Sequence, residues 1–343
     1  MIICALAALM LLGGCGSSDA RSSYEAGCEA LKNGDYETAV SEFDATISSG
    51  KLQAQAYRGE GLVQLYQNNV ADACILFEKS LLNADEETDA FRRDVNLYLA
   101  YARISHGEQE KAMEIYNSLL AKEEDPEIFF LRGRLNLRME DTDSAKADFD
   151  KAAALSSDYD LFINIFLIYD GLGKSADGAR YLERAMDLVS QEEDDFYEQG
   201  LISYYLENYQ EAKESLIQGI RADADDTDCI FLLGEVYLAL NDVPDARAVY
   251  QDHLENEETA AYAYNGLAMC DMAESDYQSA LEHVQAGLEL NREDANKGLI
   301  YNEIVIYEYL GDWESAKNLA VQYAASYPTD ELAQREYEFL STR

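Results

Sequence analysis

Apolar residues recur along most of the chain at spacings of three and four, the signature of helices that bury one face. Ile230, Leu233, Gly234, Tyr237 and Leu240 fall at i, i+3, i+4, i+7 and i+10 and predict one such helix. A longer period is superimposed. Small residues stand at Ala39, Ala73, Ala112, Ala145, Gly178, Ala212, Ala246, Ala280 and Ala316, in steps of 34, 39, 33, 33, 34, 34, 34 and 36 residues. A near-constant step of this size predicts a stacked helix-turn-helix array.

The register holds at other offsets. Four residues after each small rung come Phe43, Phe77, Tyr116, Phe149, Leu182, Leu216, Tyr250, Val284 and Ala320, mostly large and apolar. Twelve before come Gly27, Gly61, Ala100, Gly133, Phe166, Gly200, Gly234, Ala268 and Ile304. Glycine is 20 of 343 residues, so nine positions should hold about half of one; they hold five. A small residue in the first helix lets its partner helix approach, the rung admits the next repeat, and the large residues fill the space between. Five residues before each rung stand Gly34, Asn68, Gly107, Glu140, Gly173, Glu207, Asn241, Ser275 and Gly311, mostly followed by Asp, Asn or Glu. These predict the corners between paired helices. The long step holds the acidic stretch Ala84 to Asp94, expected as an extended helix end or loop.

The grouping Gly27, Tyr36, Ala39 and Phe43 resembles the tetratricopeptide repeat. It recurs as Gly200, Tyr209, Ala212 and Leu216, and as Tyr307, Trp313, Ala316 and Pro328. The resemblance covers residues 22–328 and implies an all-α, right-handed α-solenoid of about nine helix-turn-helix repeats, expected as one continuous domain. Repeats five and nine depart from it, with Phe166 and Ile304 in the small position. After Pro328, Thr329-Asp330-Glu331 predicts an N-cap with first-turn acids. The helix it opens, carrying Leu332, Tyr337, Phe339 and Leu340, would cap the array over residues 329–343.

The N-terminus differs from the rest. Ile2 to Leu12 is unbroken apolar sequence, ending in Leu12-Gly13-Gly14-Cys15 and then Gly16-Ser17-Ser18. The run is too short to span a bilayer but suits a signal segment. It resembles a bacterial lipoprotein signal peptide over residues 1–14, although no Lys or Arg precedes Leu12. That resemblance implies acylation at Cys15, with residues 15–21 as a linker, and a place on the extracytoplasmic face of a cell membrane.

Composition narrows the function. Acidic residues number 67 against 26 basic, a net charge of −41, and such a surface repels phosphate backbones. Nucleic acid is not an expected partner. Cys28, Cys74, Cys229 and Cys270 show no metal spacing, and Cys229 and Cys270 are offset by seven register positions, about 10 Å along a helix. Disulfides need Cα atoms within about 7 Å, so free thiols are expected. Gly171-Leu172-Gly173-Lys174-Ser175-Ala176 has the look of a phosphate loop but follows a helix at a repeat corner, where such a loop requires a strand. His106, His253 and His283 lie in three different repeats without a nucleophile. Carboxylate pairs such as Glu192 to Asp195 sit at junctions between repeats, where solvated acids and helix starts are expected. The acids at Glu123 to Asp125, Asp223 to Asp228 and Glu255 to Glu258 lack calcium-loop spacing and read as solvated turns. No catalytic residue, metal or cofactor is expected.

In tetratricopeptide arrays the first helices line the concave side. By register, the resemblance implies a protein-binding groove of Arg58, Tyr98, Tyr101, Phe130, Arg134, Arg138, Asn164, Tyr197, Leu201, Tyr204, Tyr205, Asn265, Tyr301, Asn302 and Tyr309. Such residues suit the backbone amides and side-chain anchors of an extended peptide. The other reading, that the tyrosines pack between repeats, stays open. The Lys/Asn clamp some members use for C-terminal carboxylates is absent. Tyr197, Leu201, Tyr204 and Tyr205 project from one helix, and Arg134 and Arg138 form a basic pair two repeats earlier, a local exception to the acidic surface. The expected function is a lipid-anchored adaptor or scaffold of the bacterial cell envelope that binds other proteins or peptides. The readings from other classes are a cell-wall-modifying enzyme and a solute- or ion-binding lipoprotein.

Overall fold

Each predicted corner turns on one residue in the left-handed backbone region. In the computed structural model, which describes residues 18–189, 195–327 and 330–342, Gly34, Asn68, Gly107, Glu140, Gly173, Glu207, Asn241, Ser275 and Gly311 have φ between 59° and 81°. This conformation reverses the chain after a helix, and glycine and asparagine adopt it with least strain. The next residue donates its N–H to the carbonyl five back, Asp35 to Ala30 at 2.9 Å and Asp276 to Asp271 at 2.8 Å, which satisfies a helix-end acceptor. It then caps the second helix: the side chains of Asp35, Asp276 and Asp312 accept from the N–H groups of Thr38, Ser279 and Ser315.

The described residues are all-α. They fall into two compact units, Met1–Ala152 and Ala153–Arg343. In the first unit α1 (Ser18–Lys32) pairs with α2 (Tyr36–Ser48), α3 (Gln53–Tyr66) with α4 (Val70–Leu82), α5 (Asp89–Ser105) with α6 (Gln109–Leu120), and α7 (Pro126–Arg138) with α8 (Thr142–Leu155), near whose end the boundary falls. In the second, α9 (Tyr159–Gly171) pairs with α10 (Ser175–Val189), α11 (Phe196–Tyr205) with α12 (Tyr209–Ala222), α13 (Thr227–Ala239) with α14 (Val243–Gln251), α15 (Ala260–Ala273) with α16 (Tyr277–Glu289), and α17 (Glu293–Leu310) with α18 (Trp313–Ser326), followed by α19 (Glu331–Ser341). Within each unit the pairs stack as a solenoid of tetratricopeptide-type repeats.

One helix start differs from expectation. Helix α1 starts at Ser18 rather than near Ser22, because Ala20 is buried and its carbonyl accepts from Thr46 Oγ1 at 3.5 Å; the linker is correspondingly shorter. The acidic stretch divides into a connection and an extra turn at the start of α5, where Thr88 caps the Phe91 N–H at 3.1 Å. Asp330 caps α19 through the Ala333 N–H at 2.8 Å. The apolar run 2–12, Cys15, Glu192 to Asp194, Pro328 and Thr329 lie outside the described residues.

All nine rungs are buried, and the residues four positions on are at most 3% exposed. The glycines seat these large side chains. The Phe43 ring lies between Gly27 and Gly59, where an added Cβ would come within 2.8 and 2.5 Å of it. The Tyr250 ring lies in the same way between Gly234 and Gly266. The two departing repeats invert the seat. In repeat five Phe166 occupies the small position and the rung becomes Gly178, whose Cβ would meet the Phe166 ring at 3.0 Å. In repeat nine Ile304 replaces the glycine and Ala320 the ring, and Tyr323, 1% exposed, fills the remaining space. Volume is conserved while its source moves to the other helix.

Polar ties recur between the residue nine before a rung and the one three after it. Asn136 Nδ2 donates to Asp148 Oδ2 at 2.9 Å, and Arg132 grips the same carboxylate from Nε at 2.9 Å and Nη2 at 2.6 Å. In repeat eight the acid sits on the other helix: Asp271 meets His283 Nδ1 at 2.6 Å and Arg247 at 2.8 Å.

Glu60 on α3 breaks this pattern. It is 8% exposed, and one carboxyl oxygen is buried without a hydrogen-bond partner. Burial first, and then the facing Asp44 carboxyl on α2, raise it from 4.5 to about 7, against an opposing Lys79 on α4. The folded state therefore keeps a proton that the unfolded chain releases between these values, and stability falls as pH rises through that window. Glu60→Gln should unfold at higher urea than the parent at pH 8, and the difference should vanish by about pH 4. A difference independent of pH would refute the assignment.

Candidate functional site

Residues fifteen, fourteen, eleven, eight and seven before each rung lie on the first helices. None of the fifteen groove candidates belongs to the fully buried core. Most nevertheless lean on neighbouring side chains, so the two readings of the tyrosines meet in the same residues.

In the first unit, Arg58 is ion-paired with Asp94 of the next first helix and lies 5.3 Å over the Tyr98 ring, which itself stacks on Phe77 at 5.8 Å. Arg134 lies 5.9 Å over Phe130, whose ring tilts against Phe149 at 6.1 Å. Tyr101 is half-buried and Arg138 exposed. Arg58 is thus held by a ring and a carboxylate, and Arg134 by a ring. Arg134 and Arg138 belong to the first unit and the α11 tyrosines to the second.

In the second unit the first helices bring aromatic rings together. Tyr205 meets Phe166 of α9 at 5.4 Å and Tyr204 at 5.7 Å, and Tyr204 meets Tyr209 at 5.8 Å. Tyr197, Leu201 and Tyr204 rest on the core around Leu216 and Leu233. All four α11 candidates, Tyr205 included, are half-buried, as is Asn164 on α9. Farther along, Asn302 Nδ2 donates to Asn265 Oδ1 at 2.8 Å across adjacent first helices. Tyr301 meets Tyr323 at 6.4 Å, and Tyr309, 63% exposed, stacks flat on Tyr277 at 4.7 Å.

Two residues in this register escape the sequence reading. Phe231, equivalent to Phe130 and Tyr197, stacks on Tyr250 at 6.1 Å and tilts against Tyr262 at 5.8 Å. Glu235 on α13, equivalent to Arg134 and Leu201, is a half-buried acid whose carboxyl burial pushes up from its ordinary range. The phenols around it respond. Burial and then the Glu235 charge raise Tyr204 to about 12, and the same two causes raise Tyr205. Tyr197 is also raised to about 12, by burial first and then by Asp228 and its neighbours. Register alone would have found both residues; a lone Glu in so acidic a chain drew no notice. Beside this group an open cleft of about 370 Å³ is lined by Phe196, Tyr197, Glu198 and the acids Asp223, Asp226 and Asp228. Asp226 is already engaged as the cap of α13, accepting from the Cys229 N–H at 3.0 Å.

The motifs set aside have structural roles. Gly171 to Ala176 is the α9–α10 corner, with Gly173 as its reversing residue. Cys28, Cys74, Cys229 and Cys270 are free thiols. No group of His, Cys, Asp or Glu that could hold a metal ion occurs among the described residues.

Family models described as tetratricopeptide repeat match residues 24–89, 94–125, 126–159, 197–261 and 231–296, more than half of the chain. The inverted seats of repeats five and nine fall outside these segments. No curated protein sequence matches the chain. Among solved structures, a tetratricopeptide repeat protein from Parabacteroides merdae is 18% identical, with a TM-score of 0.45, over 83% of this chain and 99% of its own. Yeast Tom70 is 14% identical, with a TM-score of 0.42, over 94% of this chain and 95% of its own. YrrB, described as having an unusual peptide-binding site, is 24% identical, with a TM-score of 0.33, over 55% of this chain and 97% of its own.

Proposed function

Because the chain belongs to the tetratricopeptide repeat family, we propose that it is an adaptor or scaffold that holds an extended segment of another protein against its first-helix face. Repeats of this class bind proteins or peptides. The observation that carries the reading here is the pair of half-buried rings Tyr204 and Tyr205, the latter seated on the buried Phe166, on a protein of net charge −41. Large rings that keep part of their surface in water are the usual anchors of an interface.

The proposal extends to the N-terminus. The run Ile2 to Leu12 and the sequence Leu12-Gly13-Gly14-Cys15 support acylation of Cys15 on the outer face of a bacterial membrane, so that the bound segment would belong to an exported or envelope protein. No helix among the described residues is long and apolar enough to cross a membrane; the proposed anchor is the acyl chain.

One experiment tests both parts, crosslinking in the native cell with parent, Tyr204→Ala and Cys15→Ala chains. Tyr204→Ala should lose captured partners to the extent of about 1–3 kcal/mol of binding, with its helical content preserved. Undiminished capture would place binding elsewhere. Cys15→Ala should leave the membrane fraction, and its retention after a high-salt wash would remove the anchor.

A further inference from the structure

Three times among the described residues the chain fills one arrangement with its own side chains, once where Arg132 lies 5.5 Å over Phe129 and is ion-paired with Asp148. Arg58 lies over Tyr98 and is ion-paired with Asp94. Lys297 lies 5.8 Å over Tyr327 and is ion-paired with Asp330. In each, a carboxylate holds the charge and a ring face receives it, a combination stronger than either contact alone where water is partly excluded.

At Glu235 the carboxylate and the rings are present without the cation. No described residue is hydrogen-bonded to Glu235 or ion-paired with it, although its side chain is half-buried on α13. Its helix packs on α11, whose Tyr197 and Tyr204 rest on Leu232, Leu233 and Val236 on either side of Glu235 in sequence. Its charge is among the causes that raise Tyr197, Tyr204, Tyr205 and the buried Tyr250. The other charged groups acting on the three α11 rings, Glu198, Asp228 and Asp170, are acids too. The cation of the same cluster, Lys213, is held 4.5 Å over the adjoining Tyr237 ring, and a desolvated, unpaired carboxyl beside several phenol faces is matched by one kind of visitor. An anion would meet repulsion. An aliphatic side chain would deepen the burial of an unpaired acid.

We propose that the α11–α13 surface formed by Tyr197, Tyr204, Tyr205 and Glu235 receives a lysine or arginine side chain of the bound segment, its cation paired with Glu235 and its stem against the rings. The proposal rests on the reading of this face as a binding surface and adds the charge of the residue it selects. It also inverts the simplest expectation from the first unit, whose exposed Arg138 would favour an acidic group.

The test uses N-acetyl-lysine methylamide as probe and N-acetyl-norleucine methylamide as its uncharged counterpart. Each is titrated by NMR into the full chain in about 0.15 M salt, where diffuse attraction to the acidic surface is screened. Glu235→Gln should weaken the lysine probe about tenfold and leave the norleucine probe unchanged. Glu214→Gln, which removes an exposed acid of α12, should bind the lysine probe like the parent. Glu235→Gln removes a buried charge and keeps the shape, so it should melt no lower than the parent. Equal affinity of the lysine probe for parent and Glu235→Gln, or no saturable binding, overturns the cation site. If partner capture still depends on Tyr204 in that case, the binding face stands and only the choice of residue is wrong. If capture ignores Tyr204, the binding face falls whatever the probe does.

Discussion

Tyr250→Ala is expected to remove about 3–5 kcal/mol from the stability of the second unit, the range for truncating a fully buried aromatic. The ring is 2% exposed and is held by Gly234 on one side, Gly266 on the other and Phe231 stacked at 6.1 Å. Two backbones approach closely only because this one side chain fills the space, and neither can collapse without moving a helix. Hydrogen exchange should show the loss in α13, α14 and α15 while the α1–α4 peptides keep their protection, since coupling in repeat arrays passes between neighbours. Repeat nine suggests a rescue, because it places Ile304 opposite Ala320. Adding Gly234→Ile to Tyr250→Ala should therefore recover part of the loss. A loss below about 1 kcal/mol would show that the glycine seats do not determine the packing.

Asp148→Ala should cost about 3 kcal/mol in the first unit, because it leaves Arg132 and Asn136 without their acceptor where water reaches poorly. The side chain is 6% exposed and Arg132 is 22% exposed, so the guanidinium recovers some hydration. Arg132 also keeps one bond, from Nη1 to Asn117 Oδ1 at 2.7 Å. Asp148→Asn, which retains one acceptor oxygen, should cost clearly less. Urea unfolding followed by exchange in α6, α7 and α8 checks both. Equal effects of the two substitutions would mean that the retained oxygen contributes nothing and that the tie depends on the carboxylate charge.

Much of this architecture can be read from single positions because the responsible physics is local. A reversing corner demands positive φ, and Gly34, Asn68 and Gly107 advertise it. A ring against a backbone demands glycine, and Gly27 with Phe43 advertises that. The polar tie of Asn136 with Asp148 is visible only once the register is drawn, since each residue alone resembles a solvated helix face. Glu235 is harder still. Its significance is the lack of a partner, which depends on what α11 and α14 place around it and not on its own helix. Tyr204 stands between these cases: register brought it to the first-helix face, but its contacts with Tyr205 and Tyr209 make it packing and candidate anchor together.

The corner chemistry also shapes the protein as a polyelectrolyte. At six of the nine corners the residue that follows the reversing position and opens the second helix is an acid, Asp35, Glu108 and Asp141 in the first unit and Asp242, Asp276 and Asp312 in the second; Asn69, Lys174 and Asn208 stand at the others. Part of the net charge of −41 therefore recurs at fixed intervals as a consequence of helix capping. Successive caps are separated by at least one helix diameter, about 10 Å. At 0.15 M ionic strength the screening length is about 8 Å, so each cap acts almost alone and the row is electrically discontinuous. Diluted to about 0.01 M, where that length reaches about 30 Å, the caps of a unit act collectively and the row becomes a charged line that resists bending.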